Sequence, residues 1–311
     1  MKKLFFVSML LLSGYMSIAQ QVVVVKVTGT RFTYDIFHQW IEQYERVKPG
    51  VKIYLDSKIP ADSADIVIAA HVIRESDLKA GQTYISLNRY VQLPIVNFQR
   101  RDLEVLQAKG FTSNDFTKIF FSENSNTNDE LKFDVFKRAK NACASQAFAN
   151  HFGKEQKDIN GVGVTGDDKD LLNVVKRNKE ALSYNNLGFV YNIQTRKVTD
   201  SISVIPIDLN ENGKVDKEEN FYASLDDVIN YSENGDNNKL PVEFVNVIFS
   251  KTASAELKSF LSWIIMPGQQ YNHAYGFLNL PGKEILSARQ TLAVSAPAHT
   301  CSTSLKKLLS K

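Results

Sequence analysis

The chain has 311 residues, 43% of them hydrophobic, and a formal charge of +3 from 37 Lys and Arg against 34 Asp and Glu. That near balance gives no sign of a polyanionic partner such as nucleic acid, and the length suits two ordinary domains. Two cysteines, Cys143 and Cys301, are too few for a disulfide-built scaffold.

Lys2-Lys3, the apolar run Leu4–Leu12 and the small residues Ser17-Ile18-Ala19 read as a secretory signal peptide over residues 1–19. Its removal leaves about 290 residues and takes the formal charge from +3 to +1 through loss of Lys2 and Lys3. No later stretch reaches the ~20 apolar residues of a membrane span. The expectation is a soluble, exported, periplasmic monomer. In such a compartment the two cysteines could pair, but their distance in sequence favours two free thiols.

Val22–Val27 is a β-branched run, the pattern of a strand buried on both faces. The turn Thr28-Gly29-Thr30-Arg31 leads into a helix carrying Phe32, Ile36, Phe37, Trp40, Ile41, Tyr44 and Val47 on one face, stopped by Pro49-Gly50. Such a turn is either an ordinary βα connection or an oxyanion site, where free amides and the helix dipole converge. Val51–Leu55 and Ala64–His71 read as further strands, an alternation that predicts a parallel α/β sheet. His71 stands at a strand end, where such sheets bind ligands and where structural histidines also sit.

Tyr90–Asn97 reads as a strand whose Pro94 suits an edge or an interdomain crossing. Helices are predicted over Asp102–Lys109 and Asn114–Phe121, the second capped by Thr112-Ser113, with a polar loop over Ser122–Glu130. Lys132–Arg138 is a strand entering the small-residue turn Arg138–Ser145, and a helix ends at Gly153. This turn is either an exposed basic loop or a second oxyanion cradle. A helix over Asp170–Asn178, a strand through the Gly188 kink to Tyr191 and a strand over Ile202–Ile207 follow.

Asp208 to Glu219 matches the spacing of a calcium loop. Asp208, Asn210 and Asn212 supply oxygens at positions 1, 3 and 5, Gly213 the sharp turn and Lys214 a carbonyl. Asp216 stands at position 9 and Glu219 at position 12. The strand-like segment before it predicts an isolated loop holding structural Ca2+. A short helix over Leu225–Asn230, a polar linker over Ser232–Lys239, a strand over Val242–Phe249 and helices over Ala253–Met266 and Gly282–Ala293 complete the chain, before a Lys-rich tail at Ser302–Lys311. No HExxH and no GxSxG occurs, and Ser304–Lys307 matches SxxK without its companion motifs. With no nucleophile–base pair legible, the expectation is not an enzyme.

In order, these segments resemble the PstS-like phosphate-binding proteins of ABC transporters. The resemblance rests on Thr28-Gly29-Thr30, Val47-Lys48-Pro49-Gly50-Val51, Ala64-Asp65-Ile66, Leu93–Asn97, Phe116–Phe120, Leu187–Val190 and Tyr275–Pro281. It implies an α/β, two-lobed periplasmic-binding-protein fold of type II, with a mixed, mostly parallel sheet flanked by helices in each lobe. Lobe one is expected over 22–94 and 242–311 and lobe two over 95–241. It implies capture of a small oxyanion for an ABC permease, with no nucleic-acid partner and no organic cofactor. Its ligand contacts fall at Thr28, Gly29, Thr30, Arg31 and Phe32, at Ala70 and His71, and at Arg138, Lys140, Asn141, Ala142, Cys143 and Ala144. The third segment departs from the family's R-S-D-G-S-G-T pattern: Lys140 replaces the aspartate, Cys143 a glycine, and Ala142 and Ala144 hydroxyl residues. A competing reading is an exported scaffold or sensor whose cleft has lost its ligand and which calcium stabilises.

Overall fold

The computed structural model describes residues 22–122, 132–235 and 239–294. The signal segment, nearly all of the 122–130 loop, part of the 232–239 linker, Cys301 and the Lys-rich tail lie outside the described residues.

Strand β1 (Val23–Gly29) runs through a 3-10 turn at Arg31–Thr33 into α1 (Tyr34–Val47). The chain continues through β2 (Val51–Leu55), β3 (Ile66–Ala69), β4 (Gln82–Asn97), α2 (Leu103–Lys109) and α3 (Ser113–Phe121). Then come β5 (Asp134–Arg138), α4 (Cys143–His151), β6 (Val162–Val164), α5 (Asp168–Arg177), β7 (Ala181–Asn186) and α6 (Leu187–Val190). The last elements are β8 (Ile202–Val204), α7 (Leu225–Asn234), β9 (Val242–Ser250), α8 (Ala255–Ile264) and α9 (Gly282–Val294). The strands form one path, β2-β1-β3-β9-β4-β7-β5-β6, with β8 also on β4. Pairing is parallel at the two ends of the path and antiparallel through β9, β4 and β7 in its middle.

The sixteen-residue strand β4 joins the two ends. Its first part, Gln82–Val91, pairs with β9, and Gln92–Val96 pairs with β7. Hydrophobic packing changes hands on the same strand. Tyr90 belongs to a cluster with Phe37, Trp40 and Phe260, whereas Val91 belongs to one with Phe116, Phe148 and Tyr184. Pro94 therefore lies at a crossing and not at a sheet edge; it pairs with Tyr184, and its carbonyl accepts from the Ile205 amide at 3.1 Å.

Local chemistry explains most element ends. Thr112 caps α3 by accepting from the Asp115 amide, and the Asp115 carboxylate accepts from the Thr112 amide. In α1 the residues Ile36, Phe37, Trp40 and Tyr44 are buried, while Val47 is exposed at the helix end. Two expectations are corrected. The first half of β1 is covered on one face only, since Val22 and Val24 are about half exposed and burial on successive residues begins at Val27-Thr28. After Asn186 the chain forms the helical turn α6 and not a strand, because Leu187 and Val190, three apart, are the residues it buries.

Gly29, at the end of β1, has φ +127°, and a Cβ there would lie 2.2 Å from the Ile68 carbonyl oxygen of the paired strand. Both the backbone conformation and the strand contact demand glycine. Gly29→Ala is expected to destabilise the protein by about 2–3 kcal/mol, read as a lower urea midpoint at unchanged slope; an unchanged midpoint would contradict the close approach.

Candidate functional site

Two strand–turn–helix units face each other across a cavity of about 410 Å³. One wall is Gly29, Thr30, Arg31 and Phe32, with Ile68 behind them. The other is Arg138 at the end of β5, Asn141 to Ala144 at the start of α4, Asp167 and Asp168 at the start of α5, and Phe189. The first amides of the 3-10 turn and of α4 have no acceptor within their own helices, so both walls offer backbone donors. The positive end of the α4 dipole lies at the second wall.

Two side chains of β4 brace these walls. Tyr90 and Gln92, on one face of the strand, reach in opposite directions. The Tyr90 hydroxyl donates to the Ala70 carbonyl at 2.7 Å, and the Gln92 amide donates to the Ala144 carbonyl at 2.7 Å. Phe32 packs on Tyr90 with ring centroids 4.9 Å apart, which sets the turn after β1. Across the cavity, Tyr184 stacks on Phe148 at 4.0 Å and bonds Ser145 at 2.8 Å, which fixes α4.

The charges are largely matched. Arg138 donates to Asp168 at 2.8 Å and to the Gly166 carbonyl, and both side chains are mostly buried. Burial pushes the Asp168 carboxyl up, against the pull of the Arg138 charge. Arg31 and Asp167 form a looser, half-exposed pair at 3.5 Å. The Nε of Arg138 is buried and has no partner. The segment that carries Lys140 where the resemblance placed an aspartate thus has a carboxylate neighbour after all, supplied by α5.

Cys143, the first residue of α4, meets the opposite wall. Its Sγ lies 3.1 Å from His71 Nδ1 and 3.1 Å from Thr30 Oγ1. The Thr30 hydroxyl has one proton and also lies 3.2 Å from the Ile68 carbonyl, so it donates to one of the two at a time. Burial works against ionising the thiol. The hydrogen bond and charge of His71, the Thr30 hydroxyl and the Ala70 backbone outweigh it and hold the thiol below its ordinary value. The Cys143 bond raises His71 above its ordinary value despite burial. The Cys143–His71 contact therefore ties the two walls.

The remaining expected residues fall as follows. Thr28 is buried behind the turn and Ala70 is fully buried, touching the site through its backbone. Lys140 is exposed and does not line the cavity; its carbonyl accepts from Gln156. Sequence reasoning missed Asp167, Asp168, Phe189, Tyr90 and Gln92. Gly166-Asp167-Asp168 repeats the pattern of a strand, a glycine and a capped helix start, which was a usable signal.

The 208–219 loop closes on itself. Asp208 accepts from the amides of Asn212 and Gly213, and Glu219 from those of Asn210 and Asp216. Lys214 and the side-chain amides of Asn210 and Asn212 hold the Asp216 carboxyl down at about 2. Among the described residues no three His, Cys, Asp or Glu side chains are grouped to hold a metal ion.

No protein-family model and no curated protein sequence matches the chain. Solved structures do. One described as a phosphate ABC transporter substrate-binding protein with bound phosphate, from Clostridium perfringens, aligns with TM-score 0.61 at 15% identity over 83% of this chain and 100% of that one. An ABC-type phosphate transport receptor from Vibrio cholerae gives 0.59 at 13% identity over 83% and 100%. PstS from Borrelia burgdorferi gives 0.51 at 13% over 83% and 99%. The chain has the two-lobed α/β fold of PstS-like substrate-binding proteins. Among the described residues no helix is long and apolar enough to cross a membrane.

A raised imidazole stabilises the fold fully below its ordinary pKa of 6.5 and loses that contribution as pH rises through the raised folded value. The stability advantage of the wild type over His71→Gln in urea is therefore expected to decline as pH rises above 6.5. A difference independent of pH would contradict the raised imidazole of His71.

Proposed function

We propose that the chain is an extracytoplasmic solute-binding protein that captures a small, phosphate-like oxyanion between its two lobes and delivers it to an ABC permease. One observation carries this reading: two helix starts from opposite walls converge on one cavity, together with Arg31 and Arg138. The fold shared with phosphate-binding proteins supports it. Thr30, the amides of Arg31 and Phe32, Arg138, and the amides of Cys143 and Ala144 are the proposed contacts, the Ala142 amide being taken by Gln156 at 3.0 Å. Arg138 lines the cavity and keeps a buried Nε without a partner. Asp168 serves as the acceptor that reads a proton on the anion.

A second reading has its own support. Asp167 and Asp168 already neutralise the two arginines. That arrangement suits an exported scaffold or sensor whose cleft no longer takes an anion. In either case we propose that the 208–219 loop takes structural Ca2+, on the strength of its ligand spacing and its oxygen-rich donor set. The ion would displace amide hydrogen bonds of Asp208 and Glu219.

Thermal unfolding against phosphate, sulfate, phosphonates and carboxylates, with calcium removed and restored, separates these readings. A ligand at 100 times its dissociation constant adds about 2.7 kcal/mol. Anion capture predicts a shift with one anion class that Arg138→Ala abolishes. A shift with calcium alone would replace capture by the scaffold reading, and no shift with calcium would remove the metal loop.

A further inference from the structure

We propose that Cys143 is a nucleophilic thiol of the cleft, with His71 as its proton donor, and that it is oxidised to a sulfenic acid by a small hydroperoxide. This goes beyond anion capture and does not depend on it.

The geometry carries the proposal. Cys143 is a free cysteine at the first position of a nine-residue helix, half-buried on the wall of an open cavity. Its Sγ is 3.1 Å from an imidazole nitrogen and 3.1 Å from a hydroxyl, both contributed by the opposite wall. A thiol at a helix start beside a protonated histidine is the environment in which cysteine becomes a thiolate. Arg138, whose buried Nε has no hydrogen-bond partner, lines the same cavity. Arg31 lies on the wall opposite the thiol and Arg138, Asp167 and Asp168 on its own wall, and Asp77 and Glu243 act on His71 from outside the cavity. The arginine–aspartate pairs leave the cleft without a large net charge, so an uncharged hydroperoxide enters without repulsion.

The step balances. The thiolate attacks one oxygen of the hydroperoxide, an S–O bond forms and the O–O bond breaks. The leaving oxygen takes the proton from the His71 imidazolium and departs as water or an alcohol. Sulfur is oxidised by two electrons, the peroxide is reduced by two, and His71 is left neutral. The oxidised sulfur has lost its negative charge and the imidazole its positive one, so the contact between the walls weakens.

The test is alkylation of the native protein with iodoacetamide across pH, followed on the peptide that contains Cys143 by mass spectrometry. An ordinary thiol, with a pKa near 8.5, is only a few per cent thiolate at neutral pH. Cys143 is expected to react on a plateau that persists below neutrality. His71→Gln is expected to slow it about tenfold there, the change in thiolate fraction for one pKa unit. Thr30→Val gives a smaller slowing in a variant that keeps the histidine. Hydrogen peroxide followed by dimedone is expected to label the same peptide, also more slowly in His71→Gln. A wild-type rate that follows an ordinary thiol, or no labelling of Cys143 in the folded protein, overturns the proposal; this holds whether or not either variant folds.

Discussion

Tyr90 and Gln92, two residues apart on β4, tie the cavity to the sheet. One bonds Ala70 behind the first wall and the other bonds Ala144 in the second. Because β4 is a single strand paired with β9 on one stretch and β7 on the next, the two walls share one backbone as their reference. The hydrophobic clusters divide between Tyr90 and Val91, with Ala147 of α4 joining the first and Leu278 the second.

The site is built by repetition. A strand ends, a small-residue turn follows, and a helix begins with its amides toward the cavity, once after β1 and again after β5; α5 starts at the same place with two aspartates. The positive helix ends and the arginines would form a strongly anion-attracting pocket, but Asp167 and Asp168 pair with those arginines. Burial raises the Asp168 carboxyl against the pull of the Arg138 charge. The thiol of Cys143 adds a contact with His71 of the opposite wall. A solute entering this cleft meets matched pairs that it must rearrange.

Much of this was legible in residues 22–50 and 132–153. Period, caps and turn chemistry placed β1, α1, β5 and α4, and the resemblance of ordered short segments gave the fold that solved structures share. What escaped was long-range. His71 and Cys143 stand 72 positions apart, and no local pattern announces a contact between a strand end and a helix start. Lys140 was drawn in by its place in a motif, yet the turn points it outward. Val22 and Val24 read as core because β-branched runs are common in buried strands, but only one face of that half of β1 is covered. At the α6 turn, tertiary burial of Leu187 and Val190 overrode the strand signal of the segment.

The central claim is that the cavity between the walls of β1–α1 and β5–α4 is a capture site. A crystal structure of the mature protein grown with phosphate, beside one grown without it, tests this most directly. The account predicts an ion within hydrogen-bond distance of Thr30, the amides after it and Arg138, with Arg138 turned from Asp168 toward the ligand. A cavity that stays empty of anion, with the Arg138–Asp168 pair unchanged, would contradict it.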